Sequence, residues 1–418
     1  MIRTLSVFIA GVRAGTLSQD ANGTRAFAYD SSYVGPPLSL SMPVSNQTFP
    51  SRVVDAYLLG LLPDDDRVRR EAGRRFGVSG NNPFALLSHM GLDCPGAVQF
   101  CRPEDESLIE RPQMLTPLTE EQIAQRLLPA SGRQSDTWFH EGERWSLGGN
   151  QSKFALRLEK GIWHECSGAA ATTHILKPGI EGMRFEALDE YVTMRIAKSC
   201  GLPSEQVEYQ TFCGVPAVIA TRYDRRLTAS GVSRLHQEDL CQALSVTPAK
   251  KYAEDGGPST PDVLHILRQT SNPQQSVRIF AAMLFFNYLM GAPDAHAKNY
   301  SLLHVWPNGC VLAPLYDVAS GLPYDLSGKR PLRMAMSIGG ENRLGFVRRI
   351  HIERFAHDAQ MEPQDCINLM ANLCQRIVHN APSILGQAQE TGASGANELA
   401  ERLIPRLESH CNRMLQQL

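Results

Sequence analysis

Apolar and polar positions alternate through the first fifty residues. Leu5-Ser6-Val7-Phe8-Ile9 predicts a strand, followed by a turn over Gly11 to Gly15. Ala26 to Tyr29 alternates weakly, and Leu38-Ser39-Leu40-Ser41-Met42 alternates cleanly until Pro43 stops it. The period then changes. Val53, Val54, Ala56, Tyr57 and Leu58, with Leu61 and Leu62, keep helical spacing as far as Pro63, and a charged stretch runs from Asp64 to Arg75. Residues 102–140 are polar, dotted with proline and without period, which marks a boundary or linking segment. Phe154 to Leu158 and Thr172 to Leu176 read as strands, the second running into Lys177 before Pro178-Gly179. Leu188, Tyr191, Val192, Ile196 and Ala197 share a helix face that Gly201 closes, and Val215 to Tyr223 is a further strand. From Asp262 onward the pattern is mostly helical, apart from one hairpin.

That hairpin brings together candidate chemistry. Tyr300 to Val305 and Cys310 to Leu315 are apolar runs joined through Pro307-Asn308-Gly309, and Asn-Gly between such runs favours a type I′ turn. A two-residue turn sets Pro307 opposite Cys310 and brings Asn299 within one residue of the position facing Asp317. An amide oxygen and a carboxylate there are hard-oxygen ligands of the kind Mg²⁺ takes alongside phosphate oxygens. Asp294, five residues before Asn299, completes the D-x-x-x-x-N spacing of a kinase catalytic loop. Each residue alone reads as a turn former or cap; the spacing and the hairpin together carry the chemical reading.

A phosphate-transferring site also needs a cradle and a cation. Ser146-Leu147-Gly148-Gly149-Asn150-Gln151-Ser152-Lys153 lies between two strand-like pieces and lacks the Walker pattern. On its own it reads equally as a hairpin turn. Lys177 ends a strand, and Glu190 on the following helix is placed to orient it.

Composition narrows the classes. At about 150 residues per domain, 418 residues predict two to three domains. The 41 basic and 43 acidic residues leave a net charge of −2, against a surface built throughout to wrap nucleic acid. The 10 cysteines form no C-x-x-C pair, so zinc ribbons and thioredoxin-like sites lose their signature. The longest apolar run, Ile279 to Met290, contains Asn287 and is too short for a bilayer. A cytoplasmic protein without membrane partners is expected.

With those residues in place, the chain resembles the HipA family of bacterial serine/threonine kinases, the toxins of HipBA-type toxin–antitoxin modules. Pro37 to Pro43, Leu61-Leu62-Pro63-Asp64 and Gly91 to Ala97 are similar to the family's N-terminal subdomain. Ser-x-x-Gly-x-x-x-Lys, His-Ile-Leu-Lys, Thr-Arg-Tyr-Asp-Arg-Arg, His-Gln-Glu-Asp-Leu-Cys-Gln, Asp-Gly-Gly-Pro and Asp-x-His-x-Lys-Asn follow in the family's order. The resemblance implies an α+β fold. A β-rich and helical N-terminal subdomain (1–110) and a connecting segment (111–140) would precede a protein-kinase-like bilobal domain. Its N-lobe would span 141–225, and an all-helical C-terminal lobe carrying the catalytic loop would span 226–418.

It implies roles as well. Asp294 would be the catalytic base, Asn299 and Asp317 would hold Mg²⁺, and Lys177 would bind phosphate, oriented by Glu190. Ser146, Gly148, Gly149, Asn150, Gln151, Ser152 and Lys153 would form the ATP-phosphate loop, with Thr221, Arg222 and Tyr223 as the hinge along adenine. Gln237 and His296 would lie near the nucleotide. Ser146 matches the serine that the family autophosphorylates, and Ser152 is a second acceptor. Family members phosphorylate an aminoacyl-tRNA synthetase, here expected to be glutamyl-tRNA synthetase-like, which halts translation and growth and produces persistence. They pair with a HipB-like helix-turn-helix antitoxin that binds operator DNA. The sequence departs at Pro293 and Ala295, where Thr and Gly are common, and in its Gly-Gly-Asn-Gln-Ser loop. Two rival readings stay open: a small-molecule kinase, and a non-catalytic corepressor scaffold. The arginines at 69–70 and 74–75 read as a solvated helix face, and Met334 and Met336 as core.

Overall fold

A computed structural model describes residues 2–111, 114–130, 144–149, 151–180, 182–229, 231–324 and 331–418. The N-terminal part is an antiparallel sheet built from β1 (Arg3–Ile9), β2 (Val12–Gln19), β3 (Arg25–Tyr29), β4 (Thr48–Phe49) and, after three helices, β5 (Val98–Cys101). Its strand order is β4-β3-β2-β1-β5. The turn expected over Gly11 to Gly15 is shorter, because the chain reverses at Ala10-Gly11 and Val12 already pairs with Ile9. Gly15 lies inside β2, where a Cβ would run into the backbone of Ala28.

The helices are α1 (Ser51–Gly60), α2 (Asp66–Phe76) and α3 (Pro83–Met90). The Asp65 side chain caps α2 and Gly77, left-handed at φ 65°, ends it. The clean alternation over Leu38 to Met42 does not become a strand; only Ser39 and Met42 bridge. Its polar positions are drawn instead to the C-terminal part. Ser39 Oγ and the Leu40 N–H (2.8 Å) donate to Glu238, and Ser41 Oγ donates to the Gln242 carbonyl at 3.1 Å.

A second sheet holds β6 (Met114–Pro117), β7 (Phe154–Glu159), β8 (Ile162–Ser167), β9 (His174–Lys177), β10 (Gln206–Phe212) and β11 (Val215–Thr221), in the order β10-β11-β9-β7-β8-β6. Two helices accompany it, α4 (Glu120–Ala130) and α5 (Glu186–Ser199). The segment that sequence reads as patternless therefore contains an edge strand and a helix that buries Ile123, Ala124 and Leu127. Residues 112–113 and 131–140 of that connecting segment, and 141–143 after it, lie outside the described residues. Phe27, Tyr57, Leu62, Leu87 and Phe100 pack in one core with Phe154, Leu176 and Ile219, so the two sheets share a single apolar interior.

The C-terminal part is mainly helical around a second core. It starts with a hairpin of β12 (Arg225–Thr228) and β13 (Gly231–Arg234), and β14 (Gln237–Asp239) leads into α6 (Leu240–Ala243), α7 (Thr260–Leu267) and α8 (Pro273–Leu289). The strands β15 (Ser301–His304) and β16 (Cys310–Leu312) pair beside β14, and β17 (Arg333–Ile338) pairs with β18 (Glu341–Arg343). The helices α9 (Arg349–Ala359), α10 (Pro363–Glu390) and α11 (Ala396–Gln417) finish the chain. Met334 and Met336 are core, as expected.

The hairpin forms in a different register. His304 faces Cys310 and Leu302 faces Leu312, so Val305 to Gly309 all belong to the loop. Pro307 has no N–H to give a ladder, and the Val305 N–H closes the loop on the Gly309 carbonyl at 2.7 Å. No described helix is long and apolar enough to cross a membrane.

Candidate active site

The second sheet and the helical part face each other across a cleft of about 610 Å³. Lys177, the last residue of β9, enters it and is buried. Its ammonium donates to Glu190 Oε1 of α5 at 2.7 Å and also pairs with Asp317. Burial pulls the lysine down, but the two carboxylates more than offset this and hold it above its ordinary value. Asp317 mirrors it: burial works upward, while Lys177 and Lys153 carry the carboxyl well below the usual range. Asp317 also holds the left-handed region, φ 58°.

Asn299 closes a 3-10 turn, Ala297–Asn299, and its Nδ2 donates to the Asp317 carbonyl at 3.1 Å. The two residues thus meet through this turn rather than through hairpin register. With Nδ2 so used, and Asp317 Oδ1 paired with Lys177, the Asn299 Oδ1 and the Asp317 Oδ2 are the oxygens left for a ligand. Among the described residues no group of three His, Cys, Asp or Glu side chains could hold a metal. This pair fits an ion that takes few protein ligands and completes its shell with phosphate and water oxygens, as Mg²⁺ does.

Asp294 stands at the cleft mouth with its side chain 67% exposed. It accepts a hydrogen bond from the Tyr252 hydroxyl, and His296 Nε2 lies 3.8 Å from Oδ1. Burial pushes His296 down to about 4, so the imidazole is neutral at pH 7, and neither ring nitrogen has a hydrogen-bond partner among the described residues.

The phosphate-loop residues divide. Gly148, Gly149, Gln151, Ser152 and Lys153 line the cleft. Ser146 does not: it is fully buried, its N–H donates to the Asp93 carbonyl at 3.0 Å, and its Oγ donates to Cys94 Sγ at 3.2 Å. Asn150 lies outside the described residues. Gly149 takes φ 100°, and its carbonyl accepts from the Asp64 N–H at 2.9 Å. Lys153 is buried against the loop and, among the described residues, no carboxylate lies within ion-pairing distance of it. Burial lowers its pKa.

The residues expected to form the hinge are held from behind. Thr221 pairs with His174 and does not line the cleft. Arg222 lines it, but its guanidinium is taken by Asp224 (2.8 Å), Thr172 (2.8 Å) and the Cys94 carbonyl (2.9 Å). Asp93 also receives Arg225 at 2.9 Å and Arg234 at 3.0 Å. Tyr223 lies beside Tyr316, ring centroids 5.5 Å apart, and its hydroxyl donates to Gln237, so both Tyr223 and Gln237 face the cleft.

Sequence reasoning did not single out Asp64, Asp93, Lys251, Tyr252 or Lys298 as site residues. Asp64 accepts Lys298 at 2.5 Å and Lys251 at 3.0 Å; burial works upward on it, but the two lysines bring it down to about 2. The available signal was position: Lys298 stands between Asp294 and Asn299, and Asp64 closes the Leu-Leu-Pro-Asp run.

The profile of the HipA-like C-terminal domain matches residues 145–381, and that of the HipA N-terminal domain matches residues 5–101. The Y4mE protein of Sinorhizobium fredii is 40% identical over 349 residues, covering 81% of each chain. The serine/threonine-protein kinase toxin HipA of Shewanella oneidensis is 31% identical over 356 residues, covering 81% of this chain and 79% of that one. The solved complex of Shewanella oneidensis HipA with HipB and its operator DNA contains a chain that superposes with a TM-score of 0.86 at 26% identity. That match covers 99% of this chain and 98% of the other.

Proposed function

The chain belongs to the HipA family of protein kinases, and from that premise we propose that its cleft transfers the γ-phosphoryl group of ATP to a serine or threonine of another protein. The observation that carries this reading is Lys153, a buried ammonium with no ion-pair partner among the described residues, set against Gly149 of the loop. A charge kept out of water, with Asp317 acting on it only from beyond ion-pairing distance, is explained by an anionic ligand that supplies a close counter-ion. Lys177 adds a second ammonium, fixed by Glu190.

Transfer of this kind is mostly positioning and charge neutralisation. Asp294 accepts the proton of the acceptor hydroxyl as its oxygen bonds to phosphorus, and the β–γ bridging bond breaks with its electron pair leaving on ADP. Mg²⁺ held by Asn299 and Asp317 would neutralise charge on the phosphate oxygens. The neutral His296 adds a hydrogen-bonding group beside Asp294 without a competing positive charge.

The protein is read as the toxin of a toxin–antitoxin pair acting on an aminoacyl-tRNA synthetase, of the glutamyl-tRNA synthetase type. The proposed partners are a HipB-like helix-turn-helix antitoxin and, through it, operator DNA; the Shewanella complex supports this assembly. Self-phosphorylation is assigned to Ser146, with Ser152 as the alternative acceptor. A phosphoserine brings about −1.5 to −2 charges next to the ATP-phosphate site and would silence the enzyme.

The test is label transfer from γ-labelled ATP with Mg²⁺ in a host-cell extract, with sites mapped by mass spectrometry. Label on a synthetase and on Ser146 is expected, reduced by about 10²–10⁴ in Asp294→Asn. Label only on small molecules would replace the protein substrate with a metabolite, and no label with ATP still bound would leave a scaffold.

A further inference from the structure

Glu205 has no part in the phosphate loop, the metal pair or the catalytic turn, yet it carries a carboxyl group inside the cleft. The residue is 8% exposed and lines the cleft together with Ile175, Lys177 and Ala220. Sheet register explains that placement. Ile175 faces Ala220 across β9 and β11, and Ala220 faces Val207 across β11 and β10. Side chains two residues apart share a face, so Glu205, two before Val207, points the same way as Lys177, two after Ile175. Its backbone is pinned as well: the Glu205 N–H donates to the Leu315 carbonyl at 2.8 Å, and Ser204 bridges to Leu315. The carboxyl thus stands between the end of β11, where its charge reaches the Tyr223 phenol, and the segment that leads to Asp317.

Among the described residues no hydrogen bond and no ion pair engages this carboxyl group. Burial drives its pKa upward, Lys177 pulls against that, and Glu190, Asp317 and Asp224 repel it, leaving it at about 8. The Lys177 ammonium is already shared between Glu190 and Asp317. A buried polar group without a partner is costly, and a ligand that brings a donor completes it. The nature of that donor follows from the charge around it. Phosphate oxygens are anionic acceptors and belong with Lys153 and Lys177, away from a further acid. Beside the residues expected to run along the base, the fitting group is an uncharged N–H donor on the base itself. Ala220, diagonal to Glu205 across β10 and β11, carries only a methyl group and adds no polar atom to compete.

We propose that Glu205 is a specificity-determining residue that accepts a hydrogen bond from the exocyclic amino group of adenine. This contact rests on the kinase reading of the cleft. It makes and breaks no covalent bond; it favours a purine that carries the amino group over one that lacks it.

The experiment titrates full-length wild type, Glu205→Leu and Glu205→Gln with ATP, with 2′-deoxy-ATP and with purine riboside triphosphate, which lacks the amino group. Glu205→Leu is expected to weaken ATP by about tenfold or more, the scale of a hydrogen bond to a carboxylate, while the des-amino analogue changes by less than about threefold. Glu205→Gln keeps an acceptor oxygen and should hold the wild-type preference for ATP over the analogue to within about threefold. Equal losses of ATP and the analogue in Glu205→Leu would overturn the contact, because a general disturbance of the cleft does not distinguish them. Loss of ATP that 2′-deoxy-ATP escapes would move the contact to the ribose and overturn it too. If Glu205→Leu does not fold, Glu205→Ala takes its place with the same two readings. Failure of wild type to bind ATP would sink the kinase reading and this contact with it; phosphoryl transfer retained alongside equal losses would sink the base contact alone.

Discussion

Lys177 keeps its charge where water does not reach, and it stays charged because Glu190 and Asp317 flank it. The three form one electrostatic unit, so removing the cation leaves two carboxylates buried together. Lys177→Met should cost about 3–5 kcal/mol of folding free energy, the scale for breaking a buried pair, measurable by urea unfolding. Adding Glu190→Gln should recover part of it; further loss in that double variant would contradict the shared-charge account. Much of this unit was legible in sequence, since a strand-borne lysine followed by a helix-borne glutamate specifies an order that packing then realises. Asn299 and Asp317 were paired for a different reason from the true one, a 3-10 turn in place of hairpin register. Asp64 and Lys298 were not legible as a pair. They lie 234 residues apart, and nothing local to either announces the other.

Among the elements, the proposed phosphate loop is defined by what lies under it. Gly148 packs against the Gly60 carbonyl so closely that a methyl group has no room. Gly148→Ala should lift the loop and weaken ATP binding by about tenfold or more, a step of 1.4 kcal/mol, read by titration calorimetry. Unchanged affinity would mean that the loop does not hold the phosphates. Periodicity located β1, α1, β9 and α5 because each has a regular face turned to a core. It misread Leu38 to Met42, whose alternation arises from serines bonding to Glu238 and Gln242 in the other half of the chain. It passed over α4, whose apolar face is short and lies among polar residues and prolines.

Across the molecule, the N-terminal part is joined to the kinase body by a common core and by buried ion pairs. Acid should act on that junction. His236, packed against His304 and donating from Nε2 to the Leu38 carbonyl at 3.0 Å, is held by burial at about 3. The unfolded chain takes up its proton first, so stability starts to fall as pH drops below about 6.5. Asp64, at about 2 when folded, adds a later loss: its contribution is complete above about pH 4 and disappears as pH falls through about 2. That contribution is roughly 2 kcal/mol. Denaturation followed from pH 7 to pH 2 should show both steps, with the first flattened in His236→Gln and the second in Asp64→Asn. Parallel curves for either variant and wild type would refute that assignment.

If Ser146 is the self-acceptor proposed above, its burial gives the molecule a clock. Its hydroxyl and N–H are both engaged by the Asp93-Cys94 turn and closed off from the cleft, so the proposed acceptor starts out of reach of the enzyme's own chemistry. Self-inactivation would then wait for a local opening, and its rate would be set by how often the segment detaches rather than by how fast phosphate is transferred. A toxin built this way would have an active lifetime written into the strength of a few hydrogen bonds. Weakening them, as in Cys94→Ala, should shorten that lifetime in step with faster amide exchange at Ser146.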